Sequence, residues 1–312
     1  MGCPDWPKCF GKWVPPTSVT ELPEDYETTF AEKRLSKNVR LAGYLELLGY
    51  DQLADKLVND PAIEEEQPFN ATKTWIEYIN RLIGVIIGLL IIGTVVASVK
   101  YLKTDARVFY LALASFILVV FQGWLGSIVV STNLLPGMVT THMLLALLIV
   151  VLLINAVYIS FGSQTNKGLG IPSMTSWIIM LAMIISVIQV VLGTQVREAL
   201  DVIAVSMEYK SRESWIAQAG SIFPIHRSYS ILIVLINGFI LYTFWKYRNH
   251  KLVLNTSLVL ASVIFLSVIT GMIMAYLGIA KFAQPVHLLL GTLLLGVQYV
   301  LFLISRKNKA VA

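Results

Sequence analysis

An imidazole buried in hydrocarbon is costly unless it has a partner, and three of the four histidines in this chain, His142, His226 and His287, fall near the starts of long apolar runs. A fourth equivalent place holds Asn80. Neutral imidazole is a common metal ligand, and inside a helical bundle the metal it most often meets is haem iron. One such histidine alone is equally well read as a polar residue at a wet helix end; three at corresponding places point to metal-centred chemistry. His250, within Tyr247-Arg248-Asn249-His250-Lys251, has a charged setting and is read as surface.

The elements that must position these residues follow from composition. Of 312 residues 56% are apolar and 14% charged, with a mean hydropathy of +0.71, which marks a polytopic membrane protein. Spanning about 30 Å of hydrocarbon takes about 20 apolar residues in a helix, and the runs of that length lie near 77–99, 108–130, 138–161, 174–196, 228–246, 254–278 and 285–304. Each is continuously apolar rather than alternating, so the spans are helices. Lys100, Lys103, Arg107, Lys167, Lys246, Arg248, Lys251, Arg306, Lys307 and Lys309 occupy one set of connections and the tail, while the opposite set is poorer in net positive charge. Basic residues are retained on the cytoplasmic side, which puts the C-terminus in the cytoplasm and residues 1–76 outside. The net charge of +5 is a signal of that topology, and nothing resembles the interleaved basic and aromatic surface that binds nucleic acid.

The candidate ligands recur at a nearly constant interval. Asn80 and His226 are 146 residues apart, and His142 and His287 are 145 apart. Equal offsets across two helices predict a duplicated all-α transmembrane bundle of two tandem pseudo-repeated halves that point the same way. Each half then needs an even number of spans, so seven spans imply a missing first helix, expected upstream of Met1. Met1 is followed by Gly2-Cys3-Pro4-Asp5-Trp6-Pro7-Lys8-Cys9, without the charged and apolar regions of a signal peptide. The expected layout is an extracytoplasmic segment 1–76, an N-terminal half 77–161, a cytoplasmic linker 162–173, a four-helix C-terminal half 174–304 and a cytoplasmic tail 305–312.

These motifs, in this order, resemble the haem A synthase family, membrane enzymes that convert haem O to haem A for cytochrome oxidase assembly. The resemblance rests on Cys3-Pro4-Asp5-Trp6-Pro7-Lys8-Cys9, on Trp75-Ile76-Glu77-Tyr78-Ile79-Asn80-Arg81, and on Gln122-Gly123-Trp124-Leu125-Gly126 with Thr132-Asn133. Thr141-His142, Leu192-Gly193-Thr194-Gln195-Val196-Arg197-Glu198, His226-Arg227 and Pro285-Val286-His287 complete it. It implies an eight-helix fold of two four-helix halves. The C-terminal half resembles the portion that holds an electron-transferring haem b, with His226 and His287 as axial ligands; the N-terminal half resembles the site of substrate haem oxidation. Arg227 is a candidate partner of a haem propionate or an interfacial snorkelling residue, and Arg81 occupies the matching place beside Asn80. An asparagine amide is a poor iron ligand, so His142 is the one obvious ligand for haem O or haem A, with water, Met138 or Met143 as candidates for the opposite position.

Glu77 lies three residues before Asn80 on the same helix face, and the resemblance implies a catalytic role in moving protons as a ring methyl becomes an alcohol and then an aldehyde. Thr74 and Glu77 also have capping-box spacing, which predicts a helix capped at Thr74. The resemblance further implies a disulfide between Cys3 and Cys9 over the outer mouth of the substrate half; free thiols or a redox pair are the other readings. Residues 10–70 carry a charged helical stretch around 29–59, with Leu41, Tyr44, Leu45, Leu48 and Leu53 as one apolar face, and an acidic run at Glu64-Glu65-Glu66. The resemblance implies haem O as substrate, a haem O synthase and a quinone or other electron acceptor as partners, a bacterial plasma membrane or mitochondrial inner membrane as location, and leaves a homo-oligomer open. The competing readings are a diheme b-type electron-transfer cytochrome and a haem-delivery protein that performs no oxidation.

Overall fold

The computed structural model describes residues 3, 5–47, 49–59, 69–132, 137–161, 170–280 and 282–306. Met1, Gly2, Pro4, Leu48, Glu64 to Glu66, Asn133, Lys167, Lys307 and Lys309, which figured above, lie outside them. Regular structure among the described residues is helical apart from one isolated bridge between Cys9 and Lys12. The helices are α1 (Tyr26–Leu47), α2 (Asp51–Asn59), α3 (Ala71–Ser98), α4 (Arg107–Ser131), α5 (Met138–Ser160), α6 (Ser173–Ser206), α7 (Trp215–Gln218), α8 (Ile222–Trp245), α9 (Lys251–Tyr276) and α10 (Ala283–Arg306). Seven of them, α3 to α6 and α8 to α10, are long and apolar enough to cross a membrane. Their outward surfaces stay apolar, as at Leu89, Leu90, Val96, Leu235 and Phe265, which suits lipid rather than water.

Three helix boundaries differ from expectation by six residues or more. Helix α3 begins at Ala71, where the Asn70 side chain accepts a hydrogen bond from the Lys73 amide. Thr74 therefore sits one turn inside the helix, so the Thr74–Glu77 capping box does not form; an N-cap takes the first side chain able to reach free amides, and Asn70 comes earlier. Helix α6 continues to Ser206, ten residues past the apolar run expected to end near 196. Hydropathy marks where hydrocarbon ends, whereas Ala199, Leu200, Ile203 and Ala204 still favour a helix; Arg197 pairs with Asp201 one turn on, and Leu200, Ile203 and Ala204 pack with Trp215 and Ile279. Helix α8 begins at Ile222 rather than near 228, which carries His226 and Arg227 into its second turn.

The chain divides into two compact units, residues 1–99 with 113–142, and residues 100–112 with 143–312. In the second, α6 packs on α8, α8 on α9, α9 on α10 and α10 on α6, closing a four-helix ring. Its core takes Ile179, Ala182 and Ile185 from α6, Ile233, Ile240 and Phe244 from α8, Val253, Leu260 and Val263 from α9, and Leu290, Leu294 and Leu301 from α10. These recur at three, four and seven residues, so one stripe of each helix faces inward. Fully buried Asn237 and Gln298 meet within it, Gln298 Nε2 donating to Asn237 Oδ1 at 2.9 Å.

In the first unit, Cys3, Cys9, Phe10 and Phe30 form a small core with Leu22, Tyr26, Phe69 and Tyr78. Asp5 shapes the loop by accepting from the amides of Phe10 at 2.6 Å and Gly11 at 2.9 Å, where both residues have positive φ. Leu41, Leu45 and Leu53 pack around buried Leu57 together with Met138, while Tyr44 of the expected apolar face is exposed.

Candidate functional site

Each of the three spanning histidines is the fifth residue of its helix: His142 in α5 from Met138, His226 in α8 from Ile222, and His287 in α10 from Ala283. Each imidazole edge also faces a glycine of another helix. A Cβ built on Gly126 would stand 3.4 Å from His142 Cε1, one on Gly193 3.2 Å from His226 Cε1, and one on Gly271 3.5 Å from His287 Cε1. A Cβ would crowd the ring at Gly193 and would reach ordinary contact distance at Gly126 and Gly271. One turn before each glycine sits a polar residue, Gln122, Gln189 or Ser267. Gln122 Nε2 donates to the His142 carbonyl at 2.6 Å, and Gln189 Nε2 to the His226 carbonyl at 3.1 Å, so each glutamine fastens the backbone that carries an imidazole.

Helices α8 and α10 stand on the diagonal of the four-helix ring, and their histidines face one another with ring centroids 6.5 Å apart and planes 71° apart. Two imidazoles that share one metal through bonds of about 2.0–2.1 Å hold their centres about 6–6.5 Å apart, so this spacing admits a single metal atom between them. Among the described residues no three His, Cys, Asp or Glu side chains cluster into a cage for a bare ion. The pair instead suits a macrocycle, which brings its own equatorial nitrogens and asks the protein only for axial ligands. His287 Nδ1 lies 2.9 Å from the Thr270 hydroxyl.

The first unit holds a different arrangement. Glu77 and Arg81, one turn apart on α3, form an ion pair. Arg81 also donates to the Cys3 carbonyl at 2.9 Å and the Asp5 carbonyl at 3.4 Å, and the Tyr78 hydroxyl donates to the Trp13 carbonyl at 2.8 Å. The amino-terminal loop is thereby tied to the opening turns of α3, and within it the Cys3 and Cys9 sulfurs meet. Asn80 is exposed. Arg227, also exposed, lies over the Phe223 ring with its guanidinium carbon 5.9 Å from the centroid. His250 is exposed, as expected, at the start of α9.

Sequence reasoning passed over Gln189, Thr270 and Gly271, and quoted Gln122, Gly126 and Gly193 without assigning them work. The signal was available: the 145-residue offset that relates His142 to His287 also carries Gln122 to Ser267 and Gly126 to Gly271.

The family whose profile matches residues 61–299, a stretch holding Glu77 and all three spanning histidines, is COX15-CtaA, described as a cytochrome oxidase assembly protein. The chain belongs to this family. It is also 31% identical to heme A synthase of Shewanella oneidensis over 144 residues, which are 46% of this chain and 32% of that relative. The alignment thus spans about a third of the relative's length. No solved structure matches the chain. An integral membrane member of the COX15-CtaA family with two imidazoles facing at metal-sharing distance has a donor set that fits haem.

Proposed function

We propose that the chain is a haem A synthase, which oxidises a ring methyl of haem O to the formyl group of haem A for cytochrome oxidase biogenesis. The observation that carries this reading is the facing pair His226 and His287, 6.5 Å apart across the ring diagonal of a COX15-CtaA member. These two would hold haem b, whose saturated iron supplies one-electron transfer and offers no open position for substrate. Arg227, next to His226 and exposed, is placed to pair with a propionate as a bidentate donor.

Substrate haem O would bind in the N-terminal half through His142, whose backbone Gln122 fastens and whose ring Gly126 accommodates. Asn80, an amide and a poor iron ligand, would leave His142 as the imidazole that holds this haem, which suits a site that must work on its ligand rather than lock it. Glu77 is the group assigned to proton movement, since taking the ring methyl through an alcohol to an aldehyde, with water supplying the oxygen, releases protons along with the electrons. Arg81 opposes its charge and fixes its direction, being itself tied to the loop carbonyls of Cys3 and Asp5. A Cys3–Cys9 disulfide holds that loop closed over the outer end of α3. In this reading residues 1–76 lie outside and the C-terminus lies in the cytoplasm of a bacterium or the matrix of a mitochondrion. A haem O synthase supplies the substrate, and a quinone or another acceptor removes the electrons.

The test is haem extracted from membranes in which the chain is co-expressed with a haem O synthase. Formyl-bearing haem A is expected, together with a low-spin b haem that is lost in His226→Ala and His287→Ala. Unchanged haem O in a correctly inserted protein overturns the reading in favour of a haem carrier. Two permanent b haems whose redox behaviour is unaffected by Glu77→Gln would instead identify an electron-transfer cytochrome.

A further inference from the structure

The three imidazole cradles share a glycine and a polar residue one turn before it, glutamine in two and Ser267 in the third, and they differ again at the residue next to the glycine. The residue before the cradle glycine is Leu125 for His142 and Leu192 for His226, but Thr270 for His287. Thr270 is buried, and its Oγ1 lies 2.9 Å from His287 Nδ1, 2.9 Å from the Leu266 carbonyl oxygen and 3.1 Å from that of Ser267. The threonine hydroxyl, with its proton given to the helix carbonyls, can only accept from the ring nitrogen beside it, so that nitrogen is a donor. His287 therefore carries its proton on Nδ1 and leaves Nε2 bare. His226 has Leu192 and no hydroxyl in the corresponding place, and its buried Nδ1 makes no hydrogen bond among the described residues.

We propose that Thr270 is the positioning residue of the facing pair: it fixes the Nδ1–H tautomer of His287, aims Nε2 into the ring interior, and makes His287 the stronger donor and His226 the weaker. The metal-dependent part of this proposal rests on the haem reading given above; the tautomer does not. An acceptor on the far nitrogen of a ligating imidazole raises its basicity, and loss of such partners costs about 10–100-fold in metal affinity or activity. Because a more basic imidazole favours ferric over ferrous iron, removing the hydroxyl should weaken that preference about tenfold, an upward shift of about 59 mV for a one-electron couple.

Two measurements on the full chain test this. In haem-free protein with nitrogen-15-labelled histidine, whose four residues give a countable spectrum, His287 should be Nδ1-protonated in the wild type and in Thr270→Ser, and mixed in Thr270→Val. In haem-loaded protein the midpoint potential of the bis-imidazole haem should rise in Thr270→Val, return to the wild-type value in Thr270→Ser, and fall in Leu192→Thr as His226 gains a hydroxyl. Thr270→Ala serves in place of Thr270→Val where the latter does not insert. An Nε2-protonated His287 in the wild type overturns the proposal. So does an unchanged potential in Thr270→Val with the bis-imidazole spectrum intact. Failure of the wild type to take up haem would sink the haem reading instead, and the tautomer measurement would still decide the role of Thr270.

Discussion

Substituting alanine for the cradle glycines tests whether the imidazoles are held by close packing, and the structure ranks the outcomes. A Cβ at Gly193 would stand 3.2 Å from His226 Cε1 and 3.8 Å from its Nδ1. Carbon atoms prefer separations of about 3.5–4.0 Å, so the ring must retreat by about 0.3 Å or more, and overpacking of this kind costs about 1–3 kcal/mol. Against it stands the helix preference for alanine over glycine, about 1 kcal/mol. The net expectation for Gly193→Ala is neutral to about 2 kcal/mol destabilising. Gly126→Ala and Gly271→Ala, at 3.4 and 3.5 Å, meet ordinary contacts and should be milder. Gly238→Ala in α8, with no heavy atom within 4 Å of the added carbon, should show the helix gain alone. Thermal unfolding of the four variants in one detergent gives the order, with Gly193→Ala lowest and Gly238→Ala highest. The absorption spectrum of haem-loaded protein should shift in Gly193→Ala and stay unchanged in Gly238→Ala. Equal stabilisation by both substitutions would refute the reasoning, since it would mean that His226 has free room.

Four further outcomes follow from other contacts. Asn237→Leu strands the Gln298 amide in an apolar core and should destabilise by about 1 kcal/mol, whereas Asn237→Leu with Gln298→Leu should recover most of the loss in a double-mutant cycle of thermal unfolding. Arg81→Ala removes the Glu77 partner and both donors to the loop carbonyls, a loss of about 1–2 kcal/mol that hydrogen exchange should report as faster protons at Phe10 and Gly11. The Thr17 hydroxyl and backbone amide, with Lys12 nearby, hold the exposed Glu21 carboxyl below its ordinary range, so this local structure persists above the normal carboxylate pKa and is lost as pH falls through the lowered one; Thr17→Val should move the Glu21 titration upward in an NMR experiment. Asn80→His restores the imidazole expected by the repeat and should raise the low-spin fraction of haem bound in the N-terminal half; no change would mean that α3 does not present position 80 to the haem.

Much of the site was legible because membrane helices advertise themselves. Continuous apolar runs located all seven spans, and a polar residue recurring at one offset in otherwise apolar surroundings stands out at the cost of burying it. The cradle glycines and their glutamines were less visible, since Gly193 or Gln189 reads as an ordinary helix residue until the ring that touches it is known. The Thr74–Glu77 pattern misled because a capping box is a local signal, and Asn70 begins the helix four residues earlier. The Glu77–Arg81 pair was present in the spacing, but its link to the carbonyls of Cys3 and Asp5 joins residues more than seventy positions apart.

Sequence by itself determined that the chain is helical and membrane-embedded, which residues are polar at span level, and how they repeat, because hydropathy and periodicity are properties of the chain alone. Only tertiary structure decided which imidazoles meet. His226 and His287 face each other because α6, α8, α9 and α10 close a ring that puts α8 and α10 on its diagonal, and ring closure depends on how four apolar stripes interlock. The inequality of the two histidines is likewise tertiary in origin: it arises from one hydroxyl on α9, which becomes a partner of His287 only when α10 packs beside it.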